Sequence, residues 1–146
     1  MKKITRFAAI IVILGLMLAM PANAQSTAEP RGSAFFGSYG TDLYKTGTRV
    51  FQIWFDVVAN AATMQVLGTS EIVLYRSADR QSWTKMRTYT MDTYTEMVDQ
   101  NTSYHAGYVT YNYATPGYYY RARITFYAKN STGIGERDVY TEILQM

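Results

Sequence analysis

The sequence contains no cysteine and only one histidine in 146 residues. Without cysteine, the chain cannot form a disulfide, use a catalytic thiol or bind a metal through thiolates. It also offers no cysteine after its apolar run for a lipoprotein anchor. One histidine cannot build a histidine-rich zinc site. Neither a Gly-x-Ser-x-Gly motif nor a glycine-rich phosphate loop occurs. These absences predict a protein that is not an enzyme and that has no metal or other cofactor.

Charged residues are few, at 17%, and the net charge of +3 arises in one short region. Three basic side chains stand within the first six positions, before an apolar run over residues 7–20 and the sequence Ala22-Asn23-Ala24. This order is typical of a secretory signal peptide, and the run is short for a permanent span. We predict a signal peptide over residues 1–24, with an uncleaved anchor as the alternative. The protein should be secreted, or periplasmic in a host with an outer membrane.

Cleavage after residue 24 removes three of the 14 basic residues and leaves 11 against 11 acidic residues. A neutral chain has no electrostatic surface for nucleic acid, and without the signal peptide it has no segment for a membrane. Residues 25–33 are polar and contain proline and glycine, so we expect a flexible leader there. The remaining residues, 34–146, form the candidate folded domain.

Apolar and polar residues alternate in short runs, and the 14 tyrosines suit a pleated surface. The clearest alternation covers residues 118–129 and predicts one buried face and one wet face. Seven strands are expected at 38–45, 49–59, 71–77, 84–89, 103–113, 118–129 and 136–144. Residues 60–67 and 91–102 are expected to be connections, the latter with a short helical turn or an irregular edge. This pattern predicts an all-β, antiparallel β-sandwich of about seven strands.

The last two strands should form a hairpin around the Asn130–Gly135 turn. Pairing Lys129 with Glu136 would place Arg123 opposite Glu142 and Phe126 opposite Val139. Both faces would then agree in polarity across the hairpin. Glu136, Asp138 and Glu142 would form a ladder of charges with the basic residues opposite them.

Pro116-Gly117-Tyr118-Tyr119-Tyr120 and the turn Asn130-x-x-Gly133-x-Gly135 resemble the fibronectin type III pattern. The resemblance implies an immunoglobulin-like or fibronectin type III-like sandwich, with Tyr120 as its corner tyrosine. The whole chain after the signal also resembles an uncharacterised family of short secreted proteins from Gram-positive bacteria. The segments that carry this second resemblance are 53–57, 77–79, 83–85, 108–111 and 115–117. It implies a signal peptide and one β-sandwich, without a known activity.

Aromatic residues, at 15%, give the clearest indication of function. Several rings and two arginines are expected on outer sheet faces. These candidate binding residues are Trp54, Tyr119, Arg121, Arg123, Tyr127 and Tyr140. Exposed rings can anchor a protein partner or stack on sugars, whereas Tyr-rich sheets can also stabilise themselves through cross-strand contacts. We expect a non-enzymatic module that binds a protein or glycan ligand on a cell surface. A carbohydrate-binding module that uses Trp54 and the tyrosines is the alternative.

Other chemistry has weaker support in the sequence. His105 could act as a general base in a small hydrolase, but alternation places it on the same face as Val109 and Tyr111, where a structural role is expected. Asp92, Glu96 and Asp99 do not form a dense calcium-ligand loop. The sequence from Ser77 to Trp83 is similar to a degenerate Asp-box, which in a single copy indicates a stable turn.

Overall fold

The computed structural model describes residues 34–60 and 63–146. The predicted signal peptide, 1–24, and leader, 25–33, lie outside the described residues. Within them the chain forms nine β-strands and a short 3-10 helix at Thr95–Met97. The strands are β1 (Phe36–Lys45), β2 (Phe51–Ala59), β3 (Met64–Ser77), β4 (Thr84–Thr90), β5 (Val98–Thr102), β6 (Tyr104–Tyr111), β7 (Tyr119–Asn130), β8 (Gly133–Tyr140) and β9 (Leu144–Gln145). Over the same ranges, no helix has the length and hydrophobicity needed to cross a membrane.

The described strands form two antiparallel sheets. The three-stranded sheet has the order β1-β2-β6. The six-stranded sheet has the order β4-β3-β7-β8, while β5 pairs with β3 and β9 pairs with β7. The two sheets enclose one core, which confirms the predicted all-β sandwich.

The core is built from the alternating positions that the sequence predicts. On β2, Phe51, Ile53, Phe55 and Val57 are all buried. On β7, every second residue from Tyr120 to Ala128 is buried, and the residues between them reach the outer face. Burying one such large apolar side chain contributes about 1.5–3 kcal/mol relative to leaving it in water. The alternation therefore fixes which side chains are available on the outer faces.

Tyr120 anchors the start of β7 to the turn before it. Its ring is fully buried, and its hydroxyl oxygen accepts a hydrogen bond of 2.8 Å from the backbone N–H of Thr115. Gly117 between them has φ +83°, a conformation that favours glycine. The bond satisfies a backbone donor that the turn would otherwise leave unpaired.

Two segments expected to be connections are strands in the structure. β3 begins at Met64 and β5 covers Val98–Thr102, and these two segments pair with each other. The register of β3 against β7 shifts between Thr69 and Glu71, which breaks the two-residue alternation. Gly68, with φ +155°, lies against Met97. Only glycine fits there, because a Cβ at this position would overlap the Met97 carbonyl oxygen. The short helical turn expected within 91–102 is present at Thr95–Met97.

The expected register of the last hairpin is wrong by two residues. Lys129 pairs with Ile134 instead of Glu136, and β8 ends at Tyr140. The loop is tighter because the side-chain oxygen of Asn130 accepts hydrogen bonds from the backbone N–H groups of Thr132 (2.9 Å) and Gly133 (3.1 Å). A shift of two residues keeps the side chains within β8 on their predicted faces, whereas Ile143 of the expected strand lies beyond its end and is exposed.

The corrected register changes the partners across the hairpin. Arg123 lies opposite Tyr140, not Glu142, and Phe126 lies opposite Arg137, not Val139. Glu142 lies beyond the end of β8. Of the three acidic residues in the expected charge ladder, Asp138 is the one that forms an ion pair with Arg123.

Candidate functional site

The predicted binding residues lie on two different outer faces. Trp54 is on β2, in the three-stranded sheet. The other five belong to β7 and β8, in the six-stranded sheet. The structure therefore places Trp54 apart from the group formed by Tyr119, Arg121, Arg123, Tyr127 and Tyr140.

On the six-stranded sheet, the chain's own arginines contact two of the three candidate rings, those of Tyr119 and Tyr140. The guanidinium carbon of Arg121 is 4.2 Å from the ring centre of Trp83 and 5.0 Å from that of Tyr140. The guanidinium of Arg80 lies 4.3 Å from the ring centre of Tyr119. Cations at these distances are attracted to the ring faces. These aromatic residues are thus already engaged in contacts within the molecule.

Arg123 is held by carboxylates on both neighbouring strands. Its Nη2 is 2.6 Å from Glu71 on β3, and its Nη1 is 3.5 Å from Asp138 on β8. The fifth candidate, Tyr127, is half-buried and lies in register with Gly68 and Glu136. Together with the ring contacts, these pairs form a cross-strand network over the outer face of the six-stranded sheet.

The turn between β3 and β4 positions one member of this network. The Oδ1 atom of Asp79 accepts hydrogen bonds from the backbone N–H groups of Ser82 (2.9 Å) and Gln81 (2.8 Å) and from the Ser77 hydroxyl (2.9 Å). These bonds, led by the one from Ser82, hold the pKa of the Asp79 carboxyl below its usual value. The turn leads directly into Trp83, whose ring contacts Arg121. The degenerate Asp-box sequence thus forms a closed turn.

The three-stranded sheet carries a different arrangement, a row of rings across its outer face. Trp54 on β2 contacts Tyr108 on β6, with ring centres 4.8 Å apart and planes at 32°. On its other side it contacts Tyr44 on β1, with ring centres 6.0 Å apart and planes at 87°. Trp54 is 36% exposed, Tyr108 is 46% exposed and Tyr44 is 52% exposed. We call Tyr44, Trp54 and Tyr108 the aromatic row.

A groove of about 370 Å³ runs beside the aromatic row. Its walls include Tyr44, Trp54, Tyr104 and the carboxylate-bearing residues Asp42 and Asp56. We call it the sheet groove.

Gly40 shapes the sheet groove. It pairs with Asp56 across β1 and β2, and a Cβ at this position would overlap the Asp56 carboxylate. Glycine therefore lets this carboxylate lie over β1, within the groove.

The sheet groove is acidic. The Asp42 carboxylate accepts a hydrogen bond of 2.7 Å from the backbone N–H of Leu43. Its hydrogen bond with the Tyr44 side chain raises the pKa of that phenol above its usual value. Among residues 34–60 and 63–146, the ion pairs join Arg123 to Glu71 and Asp138. Within these ranges, Asp42 and Asp56 have no cationic partner.

Sequence reasoning found Trp54 and missed its neighbours. Tyr104 and Tyr108 are four residues apart on β6, and Asp42 and Tyr44 are two residues apart on β1, so each pair shares one face of its strand. The two-residue period of the expected strands could have placed each pair on an outer face. Nothing in that period shows that β1 and β6 are the strands that flank β2.

The chemically reactive candidates lie elsewhere. The Nε2 atom of His105 is 3.1 Å from the carbonyl oxygen of Glu96, and its ring centre is 5.8 Å from that of Phe55. These contacts account for its position through packing and one hydrogen bond. Across the described part of the chain, no three histidine or acidic residues lie close enough together to hold a metal ion. The candidate calcium ligands Asp92, Glu96 and Asp99 are therefore not gathered into a site.

Comparison with known proteins gives one structural similarity. No protein-family model and no curated protein matches the chain. Among solved structures, the chain is similar to Spo0M, the sporulation control protein from Bacillus subtilis, with 10% sequence identity and a TM-score of 0.39. The match covers 71% of this chain and 48% of Spo0M, so the chain spans about half the length of that protein. At this level the similarity assigns neither a fold family nor a function.

Proposed function

We propose that the protein is a secreted, non-enzymatic binding module that recognises a protein or glycan ligand on a cell surface. The observation that carries this proposal is the aromatic row beside the sheet groove. Its rings are exposed on the outer face of a sheet and have no cationic partner from the described chain. Aromatic residues of this kind are enriched at protein interfaces and in ligand pockets.

The module is of the immunoglobulin or fibronectin type III kind. The order β1-β2-β6 facing β4-β3-β7-β8 supports this, because it corresponds to strands A, B and E facing C′, C, F and G. The hydrogen bond from the Thr115 N–H to the Tyr120 hydroxyl gives further support. In this fold class a tyrosine near the start of strand F bonds back to the chain a few residues upstream.

Secretion rests on the sequence of residues 1–24 and on the resemblance to short secreted proteins of Gram-positive bacteria. Intact mass spectrometry of the protein recovered outside the cells should give a chain that begins at Gln25. A chain that stays in the membrane with residues 1–24 attached would contradict this part of the proposal.

A carbohydrate is the second candidate ligand. The exposed rings of Trp54 and Tyr108 could stack on sugar rings, while Asp42 and Asp56 could accept hydrogen bonds from sugar hydroxyls. The tilt of 87° between Tyr44 and Trp54 prevents the whole aromatic row from forming one flat platform.

The binding surface can be tested with an array that carries both glycans and synthetic peptides. The fluorescently labelled protein should bind at least one probe, and the double variant Trp54→Ala/Tyr108→Ala should bind it at least about tenfold more weakly. Tyr113→Ala is the matched control, because Tyr113 is 66% exposed and lies outside the aromatic row. Equal binding by the double variant, loss of binding by the control, or no binding to any probe would contradict the proposal.

A further inference from the structure

Arginine side chains contact five aromatic rings in the described chain. Five cation–ring contacts occur among the described residues, and all involve β3, β4, β7, β8 or the adjoining turns. They join Arg76 to Tyr118, Arg80 to Tyr119, Arg87 to Tyr89, and Arg121 to both Trp83 and Tyr140. None of them involves Tyr44, Trp54 or Tyr108, so in the described chain the aromatic row lacks the cation that these five rings possess.

The sheet groove beside the aromatic row also carries negative charge that the described chain does not neutralise with an ion pair. Among the residues that the structure describes, the sheet groove is lined by two carboxylates, Asp42 and Asp56, and by no lysine or arginine. Neither carboxylate has an ion-pair partner within 34–60 and 63–146. A cation that entered the groove would therefore meet aromatic rings and also carboxylates that have no ion pair in the described chain.

We propose that the sheet groove binds an arginine side chain from a basic segment of a partner polypeptide. This inference rests on the proposed function, because it takes the aromatic row as the binding surface. Arginine fits better than lysine, since its planar guanidinium can stack on a ring and donate two parallel hydrogen bonds to a carboxylate. The six-stranded sheet displays a guanidinium over a ring and a guanidinium bonded to a carboxylate separately, with Arg121 over Trp83 and one nitrogen of Arg123 bonded to Glu71.

The size of the sheet groove is consistent with this occupant. Its volume of about 370 Å³ lies at the lower end of the range for small-ligand pockets. One or two side chains would fill it, and the rest of the segment would lie over the outer face of β1 and β2. Gly40 is part of the arrangement, because a side chain there would displace the Asp56 carboxylate.

The test uses a fluorescent synthetic peptide of alternating arginine and glycine and two matched peptides with lysine or glutamine in place of arginine. Fluorescence anisotropy should give the tightest binding for arginine, weaker binding for lysine, and at least about tenfold weaker binding for glutamine. Affinity for the arginine peptide should fall as salt is added, because the groove is open to solvent.

Two charge-matched variants locate the effect. Asp42→Asn/Asp56→Asn should weaken binding of the arginine peptide at least about tenfold. Asp92→Asn/Asp99→Asn removes the same charge from exposed positions outside the groove and should leave binding within about twofold. Circular dichroism checks that both variants remain folded. Equal losses in the two variants, equal binding of the arginine and glutamine peptides, or no binding of the arginine peptide would overturn the inference.

A different result separates this inference from the proposed function. If an uncharged glycan binds, and Trp54→Ala/Tyr108→Ala removes that binding while Asp42→Asn/Asp56→Asn does not, the binding module stands and the arginine ligand fails. If Trp54→Ala/Tyr108→Ala changes binding to no probe, both proposals fail.

Discussion

The two outer faces of the sandwich use similar residues in different ways. On the six-stranded sheet, Arg121 lies between Trp83 and Tyr140, and Arg123 reaches carboxylates on both sides. On the three-stranded sheet, rings contact one another and carboxylates stand without an internal cation among the described residues. The number of exposed aromatic residues therefore does not by itself distinguish the two faces. What distinguishes the faces is whether the chain itself supplies the partner for each ring and charge.

The largest expected loss of stability concerns the six-stranded sheet, where Arg121 contacts two rings of the same chain. Arg121→Ala should lower the free energy of unfolding by about 2 kcal/mol, because it removes two ring contacts and the packing of the side-chain stem. Urea unfolding followed by circular dichroism measures this change. An unchanged midpoint would show that the ring contacts contribute nothing measurable and would remove the contrast between the faces.

Carboxylates on the two faces should respond differently to the same substitution. Glu71→Gln weakens the bond to Arg123, which is partly exposed, and should lower the free energy of unfolding by about 1 kcal/mol. Asp56 has no ion pair in the described chain, so Asp56→Asn should change the free energy of unfolding by less than about 0.5 kcal/mol. Urea unfolding of the two variants side by side provides the measurement. Equal losses would indicate that Asp56 has a stabilising role of its own.

An arginine introduced on the outer face of the three-stranded sheet should give its rings and carboxylates a cationic partner within the chain, as on the six-stranded sheet. Ala106 lines the sheet groove, lies opposite Asp56, and occupies β6 between Tyr104 and Tyr108. Ala106→Arg should raise the free energy of unfolding by about 0.5 kcal/mol and block the groove for the arginine peptide. Thermal unfolding and the anisotropy titration report the two effects, and Ala106→Gln is the uncharged control. Equal behaviour of the arginine and glutamine variants would contradict the expectation.

The smallest effect concerns the turn that leads to Trp83. The pKa of Asp79 is lower when folded than its usual value of 3.8, so its ionised form stabilises the turn above the unfolded pKa. That stabilisation is lost as the pH falls through the lower, folded pKa. Thermal melts between pH 7 and pH 2 should therefore show a larger decrease for the natural chain than for Asp79→Asn. Parallel curves would show that the ionisation of Asp79 does not contribute to stability.

Sequence alternation predicted the sandwich because the residues that make its core follow a strict period. Phe51 to Val57 and Tyr120 to Ala128 show this period without interruption. The first half of β3 does not, since Gly68 and the register shift after Thr69 interrupt it. β5 is polar and mostly exposed, so its pairing with β3 left no apolar pattern.

The candidate site was harder to predict because it depends on neighbours that are distant in sequence. Trp54 lies opposite Asp42 on one side and Tyr108 on the other. Periodicity gives the face of each residue but not the strand beside it. Likewise, no local pattern reveals that Arg121 contacts Trp83, so the aromatic residues on β7 and β8 looked as available for binding as Trp54.

The order of strands has a consequence for how the molecule folds. β2 pairs with β6, and β3 pairs with β7, so each sheet combines strands from both halves of the chain. Closing such distant pairs costs loop entropy before the contacts form, and domains of this topology fold on a time scale of about milliseconds to seconds. The two sheets also bury their inner faces against each other in one core, so neither is expected to be stable alone. The sheet groove therefore cannot be isolated as a peptide. It should fold and unfold together with the outer face of the six-stranded sheet, in a single cooperative transition.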